Sequence, residues 1–215
     1  MLLTKKAATA CAVSCLALLP ASAFCQNMMP APDINMAHKW QVNVAYEEVN
    51  INQQVADHEM IDSSAQSITL DGEYFFDPHV STAIGIGLLS YDDNNAFTQQ
   101  TQSVWSNDVS NSSSTAQGVP MYVDVGYTQY SETSVPVYFT ARGGFGVMLQ
   151  SDRSIDNCSD CYSENIDVKD GAYALVGVGV NLFSSFNLGV YYRKYISGDL
   201  EDSVGLRLSF GSFRQ

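Results

Sequence analysis

The sequence predicts an all-β chain, an eight-stranded antiparallel up-and-down transmembrane β-barrel. Three observations lead there. Apolar residues recur with period two over eight separate segments. The second face of those segments carries mostly Gly, Ala, Ser, Thr and Tyr with a few opposite charges, where a soluble sheet would show solvated Lys and Glu. Short and long connections alternate along the chain, as they do when tight turns line one membrane face and loops line the other.

The segments follow in order. Trp40, Val42, Val44 and Tyr46 alternate with Gln41, Asn43, Ala45 and Glu47. Ile68, Leu70, Gly72, Tyr74 and Phe76 oppose Ser67 to Phe75, and Val80 to Leu88 oppose Ser81 to Gly87. Met121 to Tyr127 oppose Tyr122 to Thr128, and Val137 to Val147 oppose Tyr138 to Gly146. The last three apolar faces run Ala174 to Leu182, Phe186 to Tyr192 and Val204 to Phe210. Each matches the ~9–11 residues that a tilted strand needs to cross a bilayer. Closure leaves no strand edge unpaired, which is what lets backbone sit in lipid.

The short connections are Asp77-Pro78-His79, Ser131 to Ser134, and Ser184-Ser185. The long ones run Glu48 to Ser64, Asp92 to Gly118, Ser151 to Val168 and Ser197 to Asp202. Within the second, Asn94 to Gln117 is a Ser/Asn/Thr/Gln stretch read as low-complexity and mobile. Aromatic residues fall near both ends of the segments and are expected to form girdles at headgroup depth. Trp40, Phe75, Phe76, Phe183, Phe186, Phe210 and Phe213 stand on the turn side. Tyr46, Tyr91, Tyr173, Tyr192 and Tyr195 stand on the loop side.

The first 25 residues read as a signal peptide: Lys5 and Lys6, an apolar run from Ala7 to Leu19, then Pro20 and small residues. That run is too short for a spanning helix. Cleavage is expected after Ala23 or after Cys25; the second site leaves Gln26 first and removes three of the five cysteines. Bulky Phe24 argues against a lipoprotein signal at Cys25. The domain organisation is therefore 1–25 leader, 26–37 short N-terminal segment and 38–213 barrel. The mature chain keeps eight basic residues against 23 acids, a net charge of −15, which excludes nucleic acid as a partner.

On these residues the chain resembles the small outer-membrane barrel family that includes the outer-membrane protein A transmembrane domain and the OmpX/Ail group. The resemblance covers about Ala37 to Phe213. Its most specific part is Ser203-Val204-Gly205-Leu206-Arg207-Leu208-Ser209-Phe210, which looks like the terminal signal read by the barrel-assembly machinery. The resemblance implies a Gram-negative outer-membrane location, contact with outer-membrane lipid and lipopolysaccharide, and a monomer. Roles in such families vary, so it implies fold more than activity.

Several constellations could carry chemistry. Asp71, Glu73, Asp124, Arg142, Arg193 and Arg207 fall on the lumenal face. Unpaired buried charges are costly, so the three arginines are expected to pair with the three acids in a plug; a gate opened by partner exchange is the alternative. Cys158-Ser159-Asp160-Cys161 in the third long loop is read as a disulfide, with metal and redox readings as alternatives. His79-Val80-Ser81 has the spacing of lipid A deacylases but falls at a periplasmic turn, and no catalytic acid matches it. His38 and His58 have no recognisable partners. Sixteen acids, from Glu47 to Asp202, lie in or beside the long loops, with Arg153 as the only base counted among them. They are read as a solvated exterior, a divalent-cation site being the alternative. No cofactor, metal site or catalytic residue is expected. The function expected is a non-enzymatic structural or surface-interaction role through the acidic extracellular loops. The alternatives are a narrow porin-like channel for small solutes and a lipid A hydrolase.

Overall fold

The computed structural model describes residues 34–93, 97–102, 109–131, 133, 135–155, 161–183 and 185–212. Among them, β1 (Trp40–Ile51), α1 (Gln53–Glu59), β2 (Ser64–Phe75), β3 (Val80–Tyr91), β4 (Thr98–Gln102) and β5 (Val109–Ser113) come first. β6 (Thr115–Tyr130), β7 (Val137–Ser154), β8 (Ser163–Asn165), β9 (Ala172–Phe183), β10 (Phe186–Tyr195) and β11 (Leu200–Gly211) follow. Eight strands pair antiparallel in the order β6, β3, β2, β1, β11, β10, β9, β7, and β6 pairs with β7 to close the ring. β4 and β5 form a separate hairpin, and β8 adds to the tip of β7.

The sidedness follows the period-two pattern. Along β1 the residues alternate exposed and buried without a break from Trp40 to Ile51. Large apolar side chains such as Ile68, Ile84, Leu88, Val123, Phe139 and Val204 stay exposed on the outer wall. That is the arrangement of a wall whose solvent is hydrocarbon. The lumen interleaves large residues with glycines. A Cβ on Gly85 would stand 2.5 Å from Cζ of Tyr122, and one on Gly144 or Gly205 would stand 2.6 Å from Cζ of Tyr173 or Tyr191. Each of these rings occupies the space left by a missing side chain on a neighbouring strand.

The turns opposite the long loops are short. Between β2 and β3 the Asp77 carboxylate accepts from the backbone N–H groups of His79 and Val80, each at 2.7 Å. Those two bonds hold its carboxyl below the usual range.

The strands reach further than the sequence pattern predicts on the long-loop side. β1 continues to Ile51, β6 begins at Thr115 and β7 runs to Ser154. The first long connection contains α1, with Asn52 as N-cap accepting from the N–H of Gln54 and Met60 ending it in the left-handed region at φ 53°. The stretch read as mobile between Asn94 and Gln117 instead contributes β4, β5 and the start of β6 over its described residues. Hydrogen-bonded pairing of polar strands supplies there the order that low hydrophobicity does not predict. The sequence pattern also breaks at a bulge between Val119 and Pro120, where the paired residues of β6 and β7 slip by one. Proline, lacking an N–H, is tolerated in a strand at such a point.

Both girdles are corrected in part. Trp40, Phe76, Phe210, Tyr46 and Tyr192 are exposed on the outer wall. Phe75, Tyr91, Tyr173 and Tyr195 are buried in the interior instead. Their strand parity puts them on the lumenal side, and parity overrides height in a barrel wall. Phe213 and the side chain of Phe183 lie outside the described residues.

Candidate functional site: the lumen and its extracellular cap

The lumen is filled at three levels. At the turn side, Met36 and Phe75 are fully buried against Ile34 and Tyr130, so the segment preceding β1 folds under the barrel mouth. Backbone bonds from His38 N to Phe75 O and from Phe75 N to Lys39 O, at 2.9 and 3.0 Å, hold it there.

The middle level is polar. Arg142 donates through Nε and Nη2 to Oδ1 of Asp124, at 2.8 and 2.6 Å, and through Nη1 to Glu73. Glu73 also accepts from Ser81 Oγ at 2.5 Å, from Asn43 at 3.0 Å and from Gln41. Tyr173 OH donates to the other oxygen of Asp124 at 3.0 Å. Asp71 accepts from Asn43 at 2.5 Å and from Tyr122 OH at 2.8 Å, and lies 3.8 Å from Nη2 of Arg207. The side chains of Arg142, Glu73 and Asp124 are at most 1 % exposed, so these charges meet each other and not water.

Arg193 departs from the sequence expectation. It pairs at 3.1 Å with Glu47 and with none of Asp71, Glu73 or Asp124. Counted by sequence among the loop acids, Glu47 is 1 % exposed and also accepts from Ser203 Oγ at 2.7 Å. The correction has a simple origin. Glu47 has lumenal parity in β1, and β1 continues four residues beyond it. Tyr122, Tyr173, Tyr191 and Tyr195 surround the Arg193 guanidinium, with ring centroids 4.7 to 5.8 Å away. The tyrosine ring around Arg193 was legible only as Tyr and Gly alternating on the second face.

The third level is apolar. Val49, Ile51, Ala56, Ile61, Leu89, Ile166, Val168 and Leu200 pack into one buried cluster that carries the lumen contents beyond the outer apolar band. Above it sits a residue that sequence reading gave no role. Arg153, at the far end of β7, is 1 % exposed. Its Nη2 donates to the carbonyls of Glu59 and Met60 at 2.6 and 3.0 Å, its Nη1 pairs with Glu164, and its Nε stands 3.4 Å from Asp93. The guanidinium also covers the Phe97 ring at 4.7 Å, and Phe97 stacks on Tyr162 at 5.1 Å. One side chain thus ties together the first, second and third long connections. The bulge in β7 shifts parity beyond Gln150, which is why alternation does not reveal Arg153.

The histidine spacing does not produce a catalytic pair. Ser81 points into the lumen and donates to Glu73. The His79 ring stacks on the outward Tyr127 at 5.3 Å, and its Nδ1 is 3.0 Å from the carbonyl of Thr128. The two therefore lie on opposite faces of the wall. His38 does have a neighbour, the Tyr74 hydroxyl at 3.3 Å, and His58 lies 4.0 Å from Glu59. Among the described residues no group of three or more His, Cys, Asp or Glu could hold a metal ion. Cys158 lies outside the described residues, so the Cys158–Cys161 bond stays an expectation.

A closed ring of eight strands, apolar outside and packed with paired charges inside, defines a transmembrane β-barrel. Residues 11–211 match the outer membrane protein beta-barrel domain, and the chain belongs to that family of outer-membrane proteins. No curated protein matches it. Neisserial surface protein A is 12% identical, with 84% of this chain and 99% of that one covered at a TM-score of 0.46. A designed transmembrane β-barrel is 11% identical, covering 83% and 99% at 0.43. The attachment invasion locus protein of Yersinia pestis is 12% identical, covering 82% and 98% at 0.42.

Proposed function

We propose that this protein is a closed, non-enzymatic outer-membrane barrel that presents a rigid acidic cap at the cell surface. In this reading the barrel is a scaffold, and the surface contact is made by the connections that Arg153 binds together. The observation that carries it is the filling of the lumen at three successive levels: Met36 with Phe75, the Arg142 network, and the apolar cluster under the cap. A solute channel needs a continuous wet path, and each of these levels interrupts one. Export through the leader at 1–25, insertion through the last strand from Ser203 to Phe210, and a monomeric state complete the proposal.

The test is conductance. The purified full chain in planar bilayers is expected to give no stable open level at neutral pH. Reproducible unit currents that scale with protein and disappear on heat unfolding would replace this reading with the narrow-channel one.

A further inference from the structure

Where the outer wall passes from its apolar band into the cap, it is indented. Pairing registers place Glu48 opposite Gln66, Gln66 opposite Ser90 and Ser90 opposite Gln117, a polar row across β1, β2, β3 and β6. The row below it, Tyr46, Ile68 and Leu88, is apolar. Short side chains at Ser64, Ser90 and Thr115 leave a groove of about 560 Å³ above that boundary. Its size falls within the ~300–1,000 Å³ of small-molecule sites. A backbone bond of 2.6 Å from Asp62 N to Asp92 O joins the connection after α1 to the end of β3 and forms the upper side.

The charge of the lining has one sign. Glu48, Asp62, Asp92 and Asp93 reach the groove, and no Lys, Arg or His lines it. Asp93 is committed to the cap: it is buried, accepts from Ser114 and stands 3.4 Å from Nε of Arg153. Glu48 and Asp62 are exposed, and among the described residues neither carboxylate has an ion-pair or hydrogen-bond partner. Among the described residues no three acids stand close enough together to hold one metal ion. The carboxylates are therefore spread along the groove, where a single divalent cation cannot gather them. A ligand that carries several cationic groups at intervals can meet them together.

We infer that this groove binds a linear polyamine, a chain of protonated amines separated by methylenes. Charge complementarity selects that class. Ammonium groups donate to carboxylate and amide oxygens; Glu48 and Asp62 supply the first, Gln66 and Gln117 the second. The half-exposed Tyr46 ring, at the membrane-side edge, attracts a cation through its π face and gives the methylenes an apolar surface. The chain's net charge of −13 draws such a cation from the surrounding water. An anionic headgroup meets the same carboxylates and is repelled. The inference names a partner class for the acidic surface proposed above. It rests on that surface and not on lumen closure, so a conductance result leaves it untouched.

The purified full chain in a neutral detergent would be titrated calorimetrically with spermidine, with magnesium and butylamine as probes that lack spaced charges. One spermidine per chain is expected, bound about tenfold more tightly than either probe or better. Glu48→Gln with Asp62→Asn is expected to weaken it about tenfold. Asp57→Asn with Glu201→Gln removes the same charge from exposed positions outside the groove and is expected to leave binding unchanged. Ser90→Trp fills the groove without altering charge and is expected to abolish binding while heat-modifiable gel mobility stays native. Should Ser90→Trp fail to fold, Gln66→Trp makes the same test from β2. Absence of spermidine binding would overturn the inference. So would magnesium bound as tightly, which would assign the carboxylates to a metal ion. Equal weakening by the two charge-removing pairs would also overturn it, leaving only the general field of an acidic surface. A folded groove-filling variant that keeps full affinity would do the same.

Discussion

Arg142 illustrates how a single residue sets the stability of the lumen. It stands between Glu73 and Asp124, and all three are shut off from water. Arg142→Leu leaves two carboxylates buried without their cation, a change that typically costs ~3–5 kcal/mol. Urea unfolding followed by gel mobility is expected to show that loss, and a midpoint equal to wild type would mean that water reaches the site. Asp170 behaves differently. It lies in the connection before β9, and burial pushes its carboxyl up to about 6 against the opposing effects of the Gly171 N–H and Arg193. Its folded pKa exceeds the unfolded value of ~3.9, so the folded state prefers the neutral form. That contribution is fully present below pH ~4 and is gone once the pH has risen through about 6. Relative to Asp170→Asn, wild type is expected to lose on the order of 2–3 kcal/mol between pH 4 and 7.5. Parallel pH profiles for the two proteins would refute this.

At the scale of strands, what matters is which face a small residue occupies. Gly85 and Gly72 lie on paired strands' opposite faces: Gly85 inward under Tyr122, Gly72 outward with nothing within 4 Å of an added Cβ. Gly85→Ala forces Tyr122 off its bond to Asp71, and overpacking of this kind costs ~1–3 kcal/mol. Gly72→Ala meets open space and is expected to leave the unfolding midpoint unchanged or slightly raised. The contrast between two chemically identical substitutions, measured in one unfolding series, checks the register of β2 and β3 directly. A larger loss for Gly72→Ala than for Gly85→Ala would mean that the wall is turned inside out at this point, and equal effects would mean that Tyr122 does not fill the space beside Gly85. Strand length carries a second lesson. Alternation located every membrane-spanning segment, yet it stopped short on the loop side because Asn50, Thr115 and Asp152 continue the ladder with polar outward residues. Leaving the apolar band does not end a strand when both partners keep pairing.

For the whole molecule, the barrel and the cap are stabilised by separate means. Continuous pairing around eight strands holds the barrel, while Arg153 and the apolar cluster hold the connections above it. The Cys158–Cys161 bond expected in the third connection would close a ring too short to constrain the unfolded chain by much, on the order of ~1–2 kcal/mol. Mass spectrometry with alkylation before and after reduction is expected to find the pair oxidised. Changing both to serine is expected to leave heat-modifiable mobility intact, and loss of the folded form would place that loop within the barrel's own cooperative unit.

Sequence by itself determined the class and sidedness of this protein. Period two is a direct consequence of strand geometry, so the faces carrying Ile68 and Asp71 could be separated without any coordinate. It also brought Arg142, Arg207, Asp71, Glu73 and Asp124 to one face, because each lies within an unbroken run. Only the tertiary structure decided which charge meets which. Glu47 and Arg193 are 146 residues apart in the chain and come together because β1 closes the ring against β11, next to β10. Arg153 was invisible for a related reason: a one-residue bulge resets parity, and its partners lie on three connections whose proximity exists only once the barrel has closed. Alternation is a property of one strand, whereas pairing across a lumen is a property of the closed ring.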